Sequence, residues 1–117
     1  MTNIEAIKTK EGNKARISYL RTLNKALMTS GMTKEQRKVA RQQIDINRKE
    51  IKFLMSNKSF LYNFKSGGWN SGSGRTIEDA IKAEKKRWGN KTSLEMDLDS
   101  FRLSTESEKS FLLSSFY

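Results

Sequence analysis

FLYNFKSGGWNSGSGRT, Phe60 to Thr76, is the stretch where the chain changes period. Phe60, Tyr62 and Phe64 alternate with Leu61 and Asn63, the twofold repeat of a strand, and GGWNS after them suits a short return strand around Trp69. The glycine pair Gly67-Gly68 then makes the hairpin turn. A second reading treats the glycines and Arg75 as a phosphate cradle at the start of the following helix. The P-loop pattern fails twice: Gly68 and Gly74 are separated by five residues, and Arg75 stands where a lysine is required. GxG at Gly72 and Gly74 is a weak signal without alternating strands and helices around it. The favoured reading is a structural connection whose end, Thr76 with Asp79 three residues on, caps a helix; the cradle stays as the alternative.

On the N-terminal side the period is helical. No glycine or proline interrupts Asn13 to Ser30, where Ile17, Leu20, Leu23 and Leu27 form a stripe. Gly12-Asn13 marks a start or kink after an earlier turn with Ile4 and Ile7, and Asn13 is the expected N-cap. Gly31 suits the end of this helix. Thr33 and Gln36 form a capping box for the next, TKEQRKVARQQIDINRKEIKFLM. Two helices joined by so short a connection make an αα-hairpin.

On the C-terminal side IEDAIKAEKKRW presents Ile77, Ala80, Ile81 and Trp88 on one face, and Gly89-Asn90 closes it. SLEMDLDSF alternates Leu94, Met96 and Leu98 with Glu95, Asp97 and Asp99, as a strand with one wet face does. Thr105 and Glu108 head a terminal helix with Phe111, Leu112 and Phe116 inward. The expected class is α+β: an N-terminal helical hairpin, residues 1–58, followed by a small ββαβα unit, residues 59–117, packed with it as one domain.

Composition narrows the function. The 117 residues contain no Cys, His or Pro. Disulfides, thiolate nucleophiles, the usual triads and most transition-metal sites are thereby removed, so the expectation is a non-enzymatic protein without cofactor or metal. No apolar run is long enough for a membrane span, and MTNIEAIKTK lacks the apolar middle of a signal peptide, so a cytoplasmic or virion location is expected. The formal charge is +10. It is concentrated early: 14 basic against 5 acidic residues in positions 1–60 give +9, whereas 2 against 5 after position 91 give −3. An anionic partner should therefore meet the N-terminal half first.

At about 100° per residue, Arg37, Arg41, Arg48 and Lys52 fall within about 60° of arc on the second helix. Lys34 lies alongside, with Lys38 and Lys49 on the flank, and only Asp45 interrupts, expected to pair with Lys49 or Arg41. Val39, Ala40, Ile44, Ile46, Ile51, Phe53 and Leu54 are expected to form one wide apolar face opposite. The bland account of the stripe is a solvated helix face; the functional one is contact with nucleic acid or an acidic protein surface, with Arg75 as an outlying contributor. Gln42, Gln43 and Asn47 lie off the basic arc, so base-specific reading is not expected.

Trp69 and Trp88 read as packing residues rather than stacking platforms, and Glu95, Asp97 and Asp99 as wet strand positions rather than Mg²⁺ ligands. Glu84, near the middle of an apolar helix face, should meet a Lys or Arg. In style, this short, basic chain without Cys, His or Pro resembles accessory proteins of bacteriophages and mobile elements; no motif carries that resemblance. It implies a binding protein with a basic helix toward nucleic acid or a nucleoprotein complex. The alternative is a protein-interaction factor, such as a virion component or an inhibitor docking on an acidic host protein.

Overall fold

The computed structural model describes residues 3–89 and 95–104. Two compact units divide the chain, Met1–Ser56 and Asn57–Tyr117. The architecture is α+β, a helical hairpin followed by a three-stranded antiparallel sheet with a helix. The expected terminal helix over Thr105 to Phe116 lies outside the described residues.

In the first unit a short turn of helix, α1 (Asn3–Ala6), precedes α2 (Lys10–Leu27) and α3 (Lys34–Met55). The N-cap of α2 is Thr9, whose hydroxyl accepts the Gly12 N–H at 3.0 Å. Asn13 is thus not the cap. It lies inside α2, buried, with its amide donating to the Leu54 carbonyl at 2.9 Å. Sequence favours Asn at a cap because its side chain can replace a backbone partner. Here the same ability serves the other helix, donating to a carbonyl in the last turn of α3. A Cβ on Gly12 would come 2.9 Å from the Thr9 hydroxyl, so a larger residue there would disturb the cap.

The hairpin seam is Leu20, Ala40, Ile44 and Leu54, buried, with Ile17, Leu23, Leu27 and Ile51 half-buried around them. Polar pairs tie the same seam: Asn47 donates to Asn24 at 2.8 Å, Gln43 donates to Asn47 at 2.8 Å, and Arg16 grips Glu50 through two bonds of 2.8 and 3.2 Å. A bidentate pair of this kind fixes orientation as well as adding energy. The capping box on α3 is formed as expected, with Gln36 N–H on the Thr33 hydroxyl and Thr33 N–H on the Gln36 side chain. Helix α2 stops at Leu27, earlier than the sequence suggested, and Gly31 sits in the connection at φ +80.

The second unit is built on β1 (Lys58–Asn63), paired antiparallel with β2 (Trp69–Gly74) on one side and with the two-residue β3 (Arg102–Leu103) on the other. Gly67 and Gly68, at φ +100 and +90, make the reversal between β1 and β2. The rest of the glycine-rich stretch is strand, not loop. Its glycines admit α4 (Ile77–Trp88): a Cβ on Gly72 would lie 2.9 Å from Glu84 Cγ, and one on Gly74 2.8 Å from the Ala80 nitrogen. Thr76 caps α4 through the Asp79 N–H, and Gly89 ends it at φ +59.

Of the strand expected over SLEMDLDSF, the described residues Glu95 to Phe101 do not form a continuous strand. Met96 makes one bridge to Phe64, and Leu98–Ser100 then turns as a 3-10 helix. Asp97 explains the break: its carboxylate accepts the Asp99 N–H at 3.2 Å while its carbonyl accepts the Ser100 hydroxyl at 2.6 Å. Asp competes with a ladder in this way wherever its short side chain reaches its own backbone.

Crowding at Gly74 decides a sign. Replacing a strand glycine by alanine ordinarily helps by about 0.5–1 kcal/mol, but here the methyl meets the backbone of α4. Gly74→Ala is expected to cost roughly 1–3 kcal/mol through forced separation of helix and strand. Gly72→Ala should cost less, because a side chain and not backbone must yield. Urea denaturation of both variants checks the order.

Candidate functional site

The residues expected to bind an anion are all at the surface. Lys34, Arg37, Lys38, Arg41, Arg48, Lys49 and Lys52 on α3 are exposed, as is Arg75 in the second unit. Arg37 spends part of its guanidinium on the Met32 carbonyl, at 3.3 and 3.4 Å. Among the described residues the other α3 cations form no ion pair, and the expected partner Asp45 pairs with neither Arg41 nor Lys49. Asp45 is exposed, and an exposed i, i+4 pair gains too little, about 0.3–0.5 kcal/mol, to fix two side chains.

The apolar side of α3 is narrower than its composition suggested. Ala40, Ile44 and Leu54 are buried with Asn47 and Ile51 between them, whereas Val39, Ile46 and Phe53 are 64, 58 and 37% exposed. Packing one helix against one other covers a single seam, so residues about 100° away from it stay in water.

The pairing of α2 with α3 shows which residues share each face of the hairpin. Arg21 lies 3.8 Å from the Met55 sulfur, which marks one face. Helical spacing places Lys14 and Lys25 beside Arg21 on α2, and Arg37, Arg41, Arg48 and Lys52 beside Met55 on α3. Cations from both helices therefore share that face. Sequence reasoning missed the three on α2, because a stripe read along one helix says nothing of what the neighbouring helix adds. Arg16, bridging Glu50 and lying 5.3 Å from the Tyr19 ring, marks the opposite face. Tyr19, Val39, Ile46 and Phe53 belong there, together with an open groove lined by Leu27, Met32, Val39 and Ala40.

In the second unit Glu84 is 4% exposed and accepts the Tyr62 hydroxyl at 2.8 Å; Arg87 lies 3.6 Å away, the cation expected from the sequence. The Trp88 ring N–H donates to the Tyr62 oxygen, also at 2.8 Å. Tyr62 stacks on Phe101 at 4.5 Å between centroids, and Trp88 meets Phe64 edge-on. Burial, foremost, pushes the Tyr62 phenol well above its ordinary range. Every member of this chain has a partner, so it reads as core and not as a poised acid or base.

Trp69 departs from expectation. It is 52% exposed, with the Arg102 guanidinium 5.7 Å from its ring, because the face of β2 that receives α4 is the one carrying Gly72 and Gly74. The start of α4 is already occupied: the Thr76 hydroxyl donates to Asp79, and Glu78 and Asp79 put negative charge in the first turn. That charge disfavours a phosphate at this helix start. The Arg75 carbonyl accepts Lys58 Nζ at 2.7 Å, and burial, with the Arg75 charge, lowers the pKa of Lys58. No acidic or other ligand cluster suited to a metal occurs among the described residues, Glu95, Asp97 and Asp99 included. Glu95 instead pairs with Lys65 at 3.0 Å.

No family model, characterised protein or solved structure matches the chain. Among the described residues no helix is long and apolar enough to cross a membrane.

Proposed function

We propose that this is a non-enzymatic nucleic-acid-binding protein whose helical hairpin lays its basic face along a phosphate backbone. One observation carries the reading: Arg37, Arg41, Arg48 and Lys52 recur along one side of α3 with no carboxylate paired to them among the described residues, and α2 adds Lys14, Arg21 and Lys25 to the same face. At a rise of about 1.5 Å per residue, Arg37 to Lys52 spans roughly 22 Å, enough to track several phosphates. The face carries no Asn or Gln positioned with the cations, so contact would position the backbone rather than read bases.

Reversing Arg37, Arg41 and Arg48 to Glu is the direct test. These side chains are exposed, so the fold should change by less than about 0.5 kcal/mol per site. Binding to random-sequence duplex should fall below detection while the far-ultraviolet spectrum stays unchanged. A folded triple variant that binds as the wild type does would sink the assignment. Capture of a stoichiometric protein partner after nuclease treatment, with no affinity for duplex or single strand, would favour an acidic protein surface instead.

A further inference from the structure

We propose that the basic face of the hairpin takes a duplex, with α3 following one strand and α2 the other across a narrow groove; this rests on the nucleic-acid reading above and adds which form is bound. The two helices run antiparallel, since Asn13 reaches Leu54, Arg16 reaches Glu50 and Asn24 meets Asn47. That register sets Arg21 level with Arg48, Lys25 between the levels of Arg41 and Arg48, and Lys14 near the level of Lys52. All of these side chains are exposed. The cations therefore stand in two parallel lines, not one. Packed helices lie about 8–10 Å apart, and both sets point to the same side of the seam, so the two lines are separated by about that distance.

Two lines of cations call for two lines of phosphate. A single strand offers one backbone, and proteins that hold it without regard to sequence set aromatic rings in the cationic groove for its bases to stack on. The first unit has only Tyr19 and Phe53 as aromatic residues, and both lie on the opposite face, Tyr19 with the Arg16 guanidinium over its ring. A duplex offers two backbones and keeps its base faces stacked inside, so it needs no such ring. Width then selects the groove. Two packed helices are roughly 20 Å across, from about 10–12 Å for each, whereas the major groove of B-form DNA is about 12 Å wide and admits one helix. The hairpin cannot enter, so its face rests on the phosphate ridges. The ridges that arms on two such lines reach together are those flanking a narrow groove: the minor groove of B-form DNA, about 6 Å wide, or the narrow major groove of A-form RNA.

Fluorescence anisotropy on the full chain tests it, with a random-sequence DNA duplex, an RNA duplex and a single strand of equal length at about 100 mM salt. The wild type should prefer a duplex to the single strand by at least about tenfold, and the tighter of the two duplexes identifies which narrow groove is straddled. A variant combining Lys14→Gln, Arg21→Gln and Lys25→Gln, all at exposed positions, should keep its far-ultraviolet spectrum. It should lose at least about tenfold on the duplex and less than about twofold on the single strand, because the α3 line alone serves one backbone. Equal affinity of the wild type for duplex and single strand would overturn the inference and leave the nucleic-acid reading standing. So would a triple variant that binds duplex as the wild type does, or one that weakens on both forms alike. Binding to neither form would overturn the inference together with the reading it rests on.

Discussion

A random-sequence duplex titrated with this protein is expected to lose about 150-fold in affinity, close to 3 kcal/mol, between roughly 50 and 200 mM salt. The figure follows from counterion release: about 0.9 of a cation is freed per phosphate neutralised, and four cations along α3 give a slope of log K on log salt near −3.6. Single changes at Arg37, Arg41 or Arg48 to Gln should each flatten the slope by nearly one unit. Engagement of Lys14, Arg21 and Lys25 would steepen it beyond −3.6, which makes the slope a count of how much of the face is used. Exposure makes these cations effective, since an exposed side chain reaches a phosphate without first losing a protein partner. Arg37 is the partial exception. Its bonds to the Met32 carbonyl must loosen or be shared, so Arg37→Gln should flatten the slope less than Arg41→Gln. A slope near zero in fluorescence anisotropy, with duplex and single strand alike, would remove nucleic acid as the partner.

Elements with a strong local signature were legible in the sequence. Thr33 with Gln36 and Thr76 with Asp79 announce helix starts because a capping side chain acts within its own turn, and both caps are present. Phe60, Tyr62 and Phe64 announce a strand by alternation alone. What local reasoning missed was set by a neighbour distant in the chain. Asn13 looks like a cap until Leu54, 41 residues away, supplies a carbonyl for its amide. Trp69 looks like core until Gly72 and Gly74 show which face of β2 receives the helix. Val39, Ile46 and Phe53 count as apolar in any helical projection; that α2 covers only the adjacent seam is a fact of packing. For the site, the α3 cations were readable from period. The contribution of α2 needed the hairpin's pairing, given by Arg21 at Met55 and Arg16 at Glu50.

Tyr62→Phe is expected to lower stability by about 2–4 kcal/mol although it removes a single oxygen. The ring would keep its stacking on Phe101, so the loss is one of polar satisfaction. Two bonds vanish together: Glu84 loses the hydroxyl at 2.8 Å and the Trp88 N–H loses its acceptor at 2.8 Å. A typical hydrogen bond contributes about 1 kcal/mol net, but a buried donor or acceptor left without a partner costs about 1–3 kcal/mol, and more when charged. Among the described residues Glu84 would retain Arg87 at 3.6 Å, which is 58% exposed and a weak substitute. Glu84 is itself buried, so water does not readily replace the lost hydroxyl. Replacing both members, Tyr62→Phe with Glu84→Met, should recover more than half of the loss, since an apolar pair of similar shape strands no charge. The alkaline limb supplies a second readout. Because burial raises the folded-state pKa of Tyr62, its contribution is complete below the ordinary phenol value of 10.0 and falls as pH rises past it, when the unfolded chain ionises and the folded one does not. Urea denaturation at neutral pH and near pH 11 should therefore show the wild type losing stability more steeply than Tyr62→Phe; equal slopes, or a neutral-pH cost under about 1 kcal/mol, would mean that the Tyr62, Glu84 and Trp88 chain does not hold this core together.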